Sequence, residues 1–340
     1  MLNQKIASPA AWLADDLGKN AQRCYTLNPE ELDILKRQAL SFIGKDVEKI
    51  TINDVDLGQL GEKIKHDFRQ RLENGLGTLL LDGIRPEQFN GEEIMGKVLW
   101  IIGLYFGSAV SQSPAGEQLH SVEDRGYDVS HPKSRGTHTN VALPFHHDLC
   151  DVPALMCIRQ AKQGGESRIT SLVAIHNYML ENYPDLLQEL YAPFYFAPHP
   201  INTTFKALYF KHPIFSFEQG HFVCHHFRNL INSAQHIKDV PRLTDKQIKA
   251  LDVLDELIQS PMFCYQFYLK PGQIWFMNNF TTMHSRTAFE DFDDKAKHRL
   301  LLRLWLSVPN RPLPQSYAIR YHKVNAGELR GGILPEEQAE

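Results

Sequence analysis

The sequence predicts an antiparallel β-barrel or jelly roll with an α-helical flank, an α+β fold whose core is mainly β. Three observations predict it. From about residue 138, short runs rich in β-branched and aromatic residues follow one another: NVALPF, ALMCIRQA, FYFAP, MFCYQFYL, QIWFMN and LLLRLWLSV. Turn signals separate several of these runs. Stretches with apolar residues at helical spacing precede and interrupt them. The chain has 340 residues and 43% hydrophobic content, enough for one large core.

The elements can be justified in order. LNPEELDILKRQALSFIG opens with Asn28, Pro29 and two glutamates, a good helix N-terminus. DVDLGQLGEKIKHDFRQRLEN and GEEIMGKVLWIIGLYFG read as two more helices, and GTLLLDGI between them as a short buried strand. KPGQ (270–273) has Pro and Gly at the centre of a type II turn, which predicts a hairpin between MFCYQFYL and QIWFMN. SLVAIHNYMLENYPDLLQELY after Ser171 and TDKQIKALDVLDELIQS after Thr244 read as helices inserted among the strands. HFVCHHFRN (221–229) reads as a solvated strand with scattered histidines. The whole divides as a single domain over 1–340. Residues 1–137 form a helical portion packed on the barrel, 138–310 the jelly-roll core with inserted helices, and 311–340 a C-terminal tail.

Charge narrows the partners. The net charge is −4, from 36 basic and 40 acidic residues, with no clustered Lys/Arg stripe to bind nucleic acid. The N-terminal twenty residues are polar and mixed, which predicts neither a signal peptide nor a membrane anchor. Five cysteines, scattered and without a CxxC, read as reduced thiols of a cytoplasmic protein. The expected partner is a small molecule; a monomer and a homo-oligomer are both open.

PFHHDLCD (144–151) then raises a chemical question. On a strand, His146 and Asp148 point one way and His147 the other. An imidazole and a carboxylate on adjacent same-face positions can share one metal ion. A distant histidine would complete a 2-His-1-carboxylate facial triad, the arrangement of non-haem Fe(II) sites that activate O₂. His-x-Asp alone is weak, because about one match is expected by chance in a chain this rich in histidine. His284, after a predicted strand and the Asn278-Asn279 turn, is a candidate third leg. Fifteen residues later, RLLLRLWLSV carries no solvated face, so Arg299 and Arg303 lie on one buried face. Buried guanidiniums need anions. Internal salt bridges are one answer, and a bound dicarboxylate gripped by parallel hydrogen bonds is the sharper one.

Three blocks in order carry a resemblance. LPFHHD, GGESRITSLVAIHNYML and PGQIWFMNNFTTMHSRTAF…RLLLRLW together resemble the taurine dioxygenase/clavaminate synthase-like (TauD/TfdA) family of Fe(II)- and 2-oxoglutarate-dependent oxygenases. They cover residues 138–308. The resemblance implies a double-stranded β-helix, the jelly roll. It implies His146, Asp148 and His284 as catalytic iron ligands, and Arg299 with Ser167 holding the distal carboxylate of 2-oxoglutarate. Arg303 matches a second arginine that in some relatives contacts an anionic substrate. The implied reaction consumes 2-oxoglutarate and O₂, releases succinate and CO₂, and hydroxylates a small polar or amino-acid-like metabolite. Gln273 stands where the family usually has Asp, in a turn away from the implied metal. Because Asp148 is present, halogenation is not expected.

Other residues stay with plainer readings. His147 reads as a core group, Asp151 as a turn or cap, Cys150 as a buried inert thiol, and Arg286 and Thr287 as structural. Arg228 and His138 are further candidates for a substrate pocket, whose specificity belongs to loops 109–140 and 194–240. Two alternatives remain: a cupin-like metalloprotein that does not use 2-oxoglutarate, and a non-catalytic ligand-binding module.

Overall fold

Hydrophobic runs without a polar face seek the centre of a sheet, and two of them set this fold. The computed structural model describes residues 2–89, 91–127, 136–308 and 312–336. Its main strands are β1 (Cys24–Thr26), β2 (Thr78–Asp82), β3 (Ser108–Ala109), β4 (Leu119–Val122), β5 (Leu143–His146), β6 (Val152–Arg159), β7 (Ser167–Ser171), β8 (Cys264–Phe267), β9 (Ile274–Met277), β10 (Thr282–Arg286) and β11 (Leu300–Ser307). Every residue of β11 is buried, and β6 is buried up to Arg159. These two pair antiparallel along their length at the middle of a seven-stranded sheet ordered β1-β2-β9-β6-β11-β3, with β4 also on β11. A four-stranded sheet, β8-β7-β10-β5, faces it and completes the jelly roll.

The period-2 alternation of strands divides the core. Leu300, Leu302, Leu304 and Leu306 pack outward with Ile274, Phe276, Leu79 and Leu81, while Leu301 turns inward with Trp275, Leu80, Leu155 and Ile169. The outward face is covered by helices α1 (Pro29–Ser41) and α2 (Glu92–Phe106), the latter buried on nearly all sides. Gly103 lets α2 approach closely, because a Cβ there would lie 2.7 Å from a methyl of Leu304. Three more helices cover the smaller sheet: α3 (Leu172–Asn182), α4 (Pro184–Leu190) and α5 (Asp245–Gln259). Asn28 and Thr244 make capping boxes, and the Ser171 hydroxyl accepts from Ala174 N–H, as expected at those positions.

Several expectations are corrected. KPGQ does turn, with Gly272 at φ 85°, but it makes no hairpin. β8 joins the smaller sheet and β9 the larger, so the turn carries the chain between sheets. β8 is only half-buried and suits an edge, while fully buried β9 suits a centre. The helix after Ser171 is two helices, because Pro184 forces Tyr183 out of helical conformation. His221–Cys224 is a strand, but Phe222, Val223, Cys224, His225 and His226 are buried rather than solvated. The first 137 residues are not merely a helical wing, since β1 to β4 belong to the large sheet. Residues 128–135, inside one of the expected specificity loops, lie outside the described residues.

The C-terminal segment is no loose tail. Gly332 N–H donates to Leu149 C=O at 2.7 Å, and Ile333 N–H to Ser111 C=O at 2.9 Å. Arg330, 1% exposed, places Nε 2.9 and 3.1 Å from the two oxygens of buried Asp151. Removing one member of a buried ion pair leaves the other charge costly. Arg330→Ala is therefore expected to destabilise the protein by about 3 kcal/mol or more in urea unfolding. A loss within experimental error would show that the segment is not part of the cooperative fold.

Candidate active site

β5 and β10 are neighbours, and their register sets His146 directly opposite His284. Two residues beyond His146 the chain turns, and Asp148 swings its carboxylate under both rings. His146 Nε2 lies 3.8 Å from one carboxylate oxygen and His284 Nε2 3.7 Å from the other. One ligand atom from each of the three residues lies within 4.8 Å of the other two. His146 Nδ1 sits 2.8 Å from Pro144 C=O; donating there leaves the Nε2 lone pair facing its partners. Burial, then the charge of His146, holds His284 down at about 3, and burial lowers His146. For Asp148 burial pushes the other way, but Arg303, His284 and His146 together hold its carboxyl at about 2. The group therefore presents two neutral imidazoles and one carboxylate. Asp148 Oδ2 is buried without a hydrogen-bond donor. That donor set, with an orphaned anionic oxygen, fits a divalent cation.

Asn279 braces the turn. Its Nδ2 donates to the carbonyls of Asp148 and Cys150, each at 2.7 Å. Asn278 shapes its own turn, accepting Phe280 N–H at 3.0 Å. Thus one of the two asparagines preceding His284 joins the segments that carry the three candidate ligands.

Two cavities meet at this group. The smaller is lined by His146, His284, Ser167, Arg286 and Arg299 among others. Arg299 is 4% exposed, forms no ion pair among the described residues, and leaves Nη1 without a hydrogen-bond partner. Burial lowers its pKa to about 10, well inside the charged range at neutral pH. Its guanidinium stands over the Phe289 ring at 5.0 Å, and Arg286 faces the same ring at 4.7 Å. Gly165 makes room: it sits at φ +76°, and a Cβ there would come within 3.1 Å of Arg299 Nε. Arg286, read from the sequence as structural, does tie the 139–141 segment through Thr139 and Val141 carbonyls. Its Nε and Nη1 have no partner, so a second buried cation shares this cavity. The two-residue spacing from His284 on β10 was the available signal.

The larger cavity, about 270 Å³, is lined by His146, Asp148, Phe205, Phe227, Arg303 and Arg320 among others. Arg303 reaches this cavity with two of its nitrogens already engaged. Its Nε donates to Gln112 Oε1 at 2.7 Å, its Nη1 lies 3.3 Å from Asp148 Oδ1, and its guanidinium stacks over Trp305. Arg228 and His138 are not among the residues that line either cavity. Arg228 is held by Asp252 and Asp255 at 2.8 Å each, and buried His138 packs near His120 and Tyr127. His147 turns away from the three candidate ligands; its Nδ1 meets the backbone of His226, and its ring stacks on His225. Cys150 is fully buried, and burial raises its thiol far above the usual range.

The chain is similar to known proteins over most of its length. The model of the taurine catabolism dioxygenase TauD, TfdA family matches residues 36–305. FR-33289 synthase of Streptomyces rubellomurinus is 29% identical over 325 residues, covering 93% of this chain and 94% of that protein. Among solved structures, asparagine oxygenase with Fe(II), (2S,3S)-3-hydroxyasparagine and succinate superposes with a TM-score of 0.65. It is 16% identical, over 84% of this chain and 94% of that one. The non-heme iron oxygenase OrfP with Fe and α-ketoglutaric acid gives 0.62 at 14% identity, over 85% and 95%. These last two speak to the fold.

Two outcomes follow from the site. Asp148→Ala or His284→Ala should weaken Mn(II) or Fe(II) binding about 100-fold or more by direct titration, and should abolish the roughly 2.7 kcal/mol of stabilisation that metal at a hundred times its Kd gives the wild type. Unchanged binding would place the metal elsewhere. The second concerns histidines behind the cavity. Burial holds His212 at about 3, His176 at about 4 and His225 well below its ordinary value. Below about pH 6.5 the unfolded chain takes up protons that the folded chain excludes, so stability is lost as pH falls. These three groups, with buried His147 and His284 adding to them, predict metal-free protein at least about 4 kcal/mol less stable near pH 5.5 than near pH 7.5 in urea unfolding. Equal stability at the two would mean that these rings gain protons in place.

Proposed function

The chain belongs to the TauD, TfdA family, an Fe(II)- and 2-oxoglutarate-dependent dioxygenase that consumes O₂, and we propose that it hydroxylates a small, polar, amino-acid-like metabolite in the cavity beside His146, Asp148 and His284. One observation carries this reading. A three-residue donor set for a divalent ion stands next to a buried Arg299 that has no carboxylate partner among the described residues. A metal-binding module without a co-substrate has no use for that unpaired cation.

Each residue then has a role. His146, Asp148 and His284 would hold Fe(II). Bound there, Fe(II) supplies O₂ activation coupled to oxidative decarboxylation of 2-oxoglutarate to succinate and CO₂. Arg299 grips the distal carboxylate, and Ser167, buried on β7 beside it, shares the load. Arg286 adds a second guanidinium to the same cavity. Trp275, Leu155 and Leu301 wall off water there, which strengthens every charge interaction inside. Arg303 acts on the carboxylate of Asp148 instead of on substrate. It holds that group ionised and fixes its orientation. Substrate enters the larger cavity, whose wall includes His146 and Asp148. Asparagine oxygenase, similar in fold, has a hydroxylated amino acid in its solved complex, which supports a substrate of that class here. Five free cysteines fit a reducing compartment, and we place the enzyme in the cytoplasm.

Purified protein supplied with Fe(II), 2-oxoglutarate and ascorbate is expected to release succinate and CO₂, faster when the right amino acid or small acid is added. No turnover, coupled or uncoupled, would sink the reading. Arg299→Ala removes a charge-assisted bond worth about 2–5 kcal/mol, so the KM for 2-oxoglutarate should rise about 100-fold. If that KM stays put, the cavity serves another ligand.

A further inference from the structure

The larger cavity contains a cation that none of these roles uses. Arg320 sits on the short helix Ala318–Tyr321, beyond the residues that match the family model. It lines the cavity and is 9% exposed. Its Nε is buried without a hydrogen-bond partner, and it forms no ion pair among the described residues. The Phe210 ring lies 5.4 Å from its guanidinium.

Its surroundings do not neutralise it. His212 and His225, which feel its charge, are kept neutral by burial. Tyr321 beside it keeps its proton, its hydroxyl pushed well above its ordinary value by burial. Asp148 is near enough to act on it, but that carboxylate already has Arg303 at 3.3 Å and would be shared with the metal. A buried guanidinium without an anion is expensive, and folding retains one where a ligand supplies the charge. The other polar groups on the cavity wall include Asn202, Asn229 and His199, none of them an acid.

We propose that Arg320 is the anchor for an anionic group of the substrate: a terminal oxyanion of the carboxylate, sulfonate or phosphonate type. This rests on the larger cavity being the substrate site. The anchor takes the part expected from Arg303, whose Nε and Nη1 are engaged by Gln112 and Asp148. Arg299 serves the other cavity, so two separate guanidiniums sort two separate anions, the co-substrate and the substrate. Planar recognition by a guanidinium fork suits all three oxyanions and not a neutral amide.

The test uses the full chain loaded with Mn(II) and 2-oxoglutarate, and four probes: butyrate, propane-1-sulfonate, propylphosphonate and butyramide. Binding near the metal is read from the Mn(II)-induced relaxation of the probe's protons. At least one oxyanion is expected to bind ten or more times more tightly than butyramide. A lead for the planar or for the tetrahedral anions supports the anchor and names the geometry it prefers. Arg320→Gln should bring oxyanion affinity down to that of butyramide while butyramide itself is unaffected, and Arg320→Lys should restore part of the difference. Butyramide binding as well as the anions, or a folded Arg320→Gln that keeps the preference, overturns the proposal. Should Arg320→Gln not fold, the wild-type comparison with butyramide decides alone. Failure of the wild type to bind 2-oxoglutarate counts against the proposed function, whereas intact 2-oxoglutarate binding without anion preference counts against the anchor alone.

Discussion

Charge buried between two sheets sets the terms for everything around it. Asp148 is an ionised carboxylate at 4% exposure, and Arg286, Arg299, Arg303 and Arg320 are guanidiniums at 4–9%. Only Arg303 finds Asp148 within ion-pair distance, at 3.3 Å. Uncompensated, each remaining cation would cost several kcal/mol, comparable to a large share of a domain's whole stability. A jelly roll can carry that load because its sheets are otherwise almost wholly apolar and its helices seal both outer faces. The fold therefore makes most physical sense with a metal and anions bound.

That constraint explains why the chemistry was more legible in the sequence than the topology. A polar residue in an apolar run stands out: His146, Asp148, Arg299 and Arg303 interrupt runs that otherwise read as core. Their convergence follows from strand alternation and one turn, both local properties. Pairing is not local. KPGQ specifies a turn in four residues but says nothing about which sheet the next strand joins, and β8 and β9 part company. The same holds for HFVCHHFRN. Its histidines look solvated by composition, but His225 and His226 are buried against aromatic rings and a partner on α5.

Arg303 and Arg320 show the limit of carrying a role from one position to another. Arg303 lies on the expected strand face, and its charge does reach the site. What it meets there is Gln112, from a segment some two hundred residues earlier, and the carboxylate of Asp148. Neither contact can be read from RLLLRLW. Arg320 was invisible for a different reason. It belongs to a C-terminal segment without a hydrophobic period, and its short helix is seated beside the cavity by buried Tyr317, which donates to Pro213 C=O at 2.8 Å and stacks on His212.

The same segment ties the site to the stability of the fold. Arg330 clamps Asp151, Asp151 accepts Val308 N–H at the end of β11, and Asn279 holds the carbonyls of Asp148 and Cys150. Three elements remote in sequence thus fix the four-residue turn from Asp148 to Asp151. A functional side chain on a turn is usually less well placed than one on a strand. Here the turn is bonded on three sides, so Asp148 can be held to the precision of its strand-borne partners His146 and His284. The C-terminal segment delivers Arg320 and Arg330 ten residues apart, one to the cavity and one to the brace.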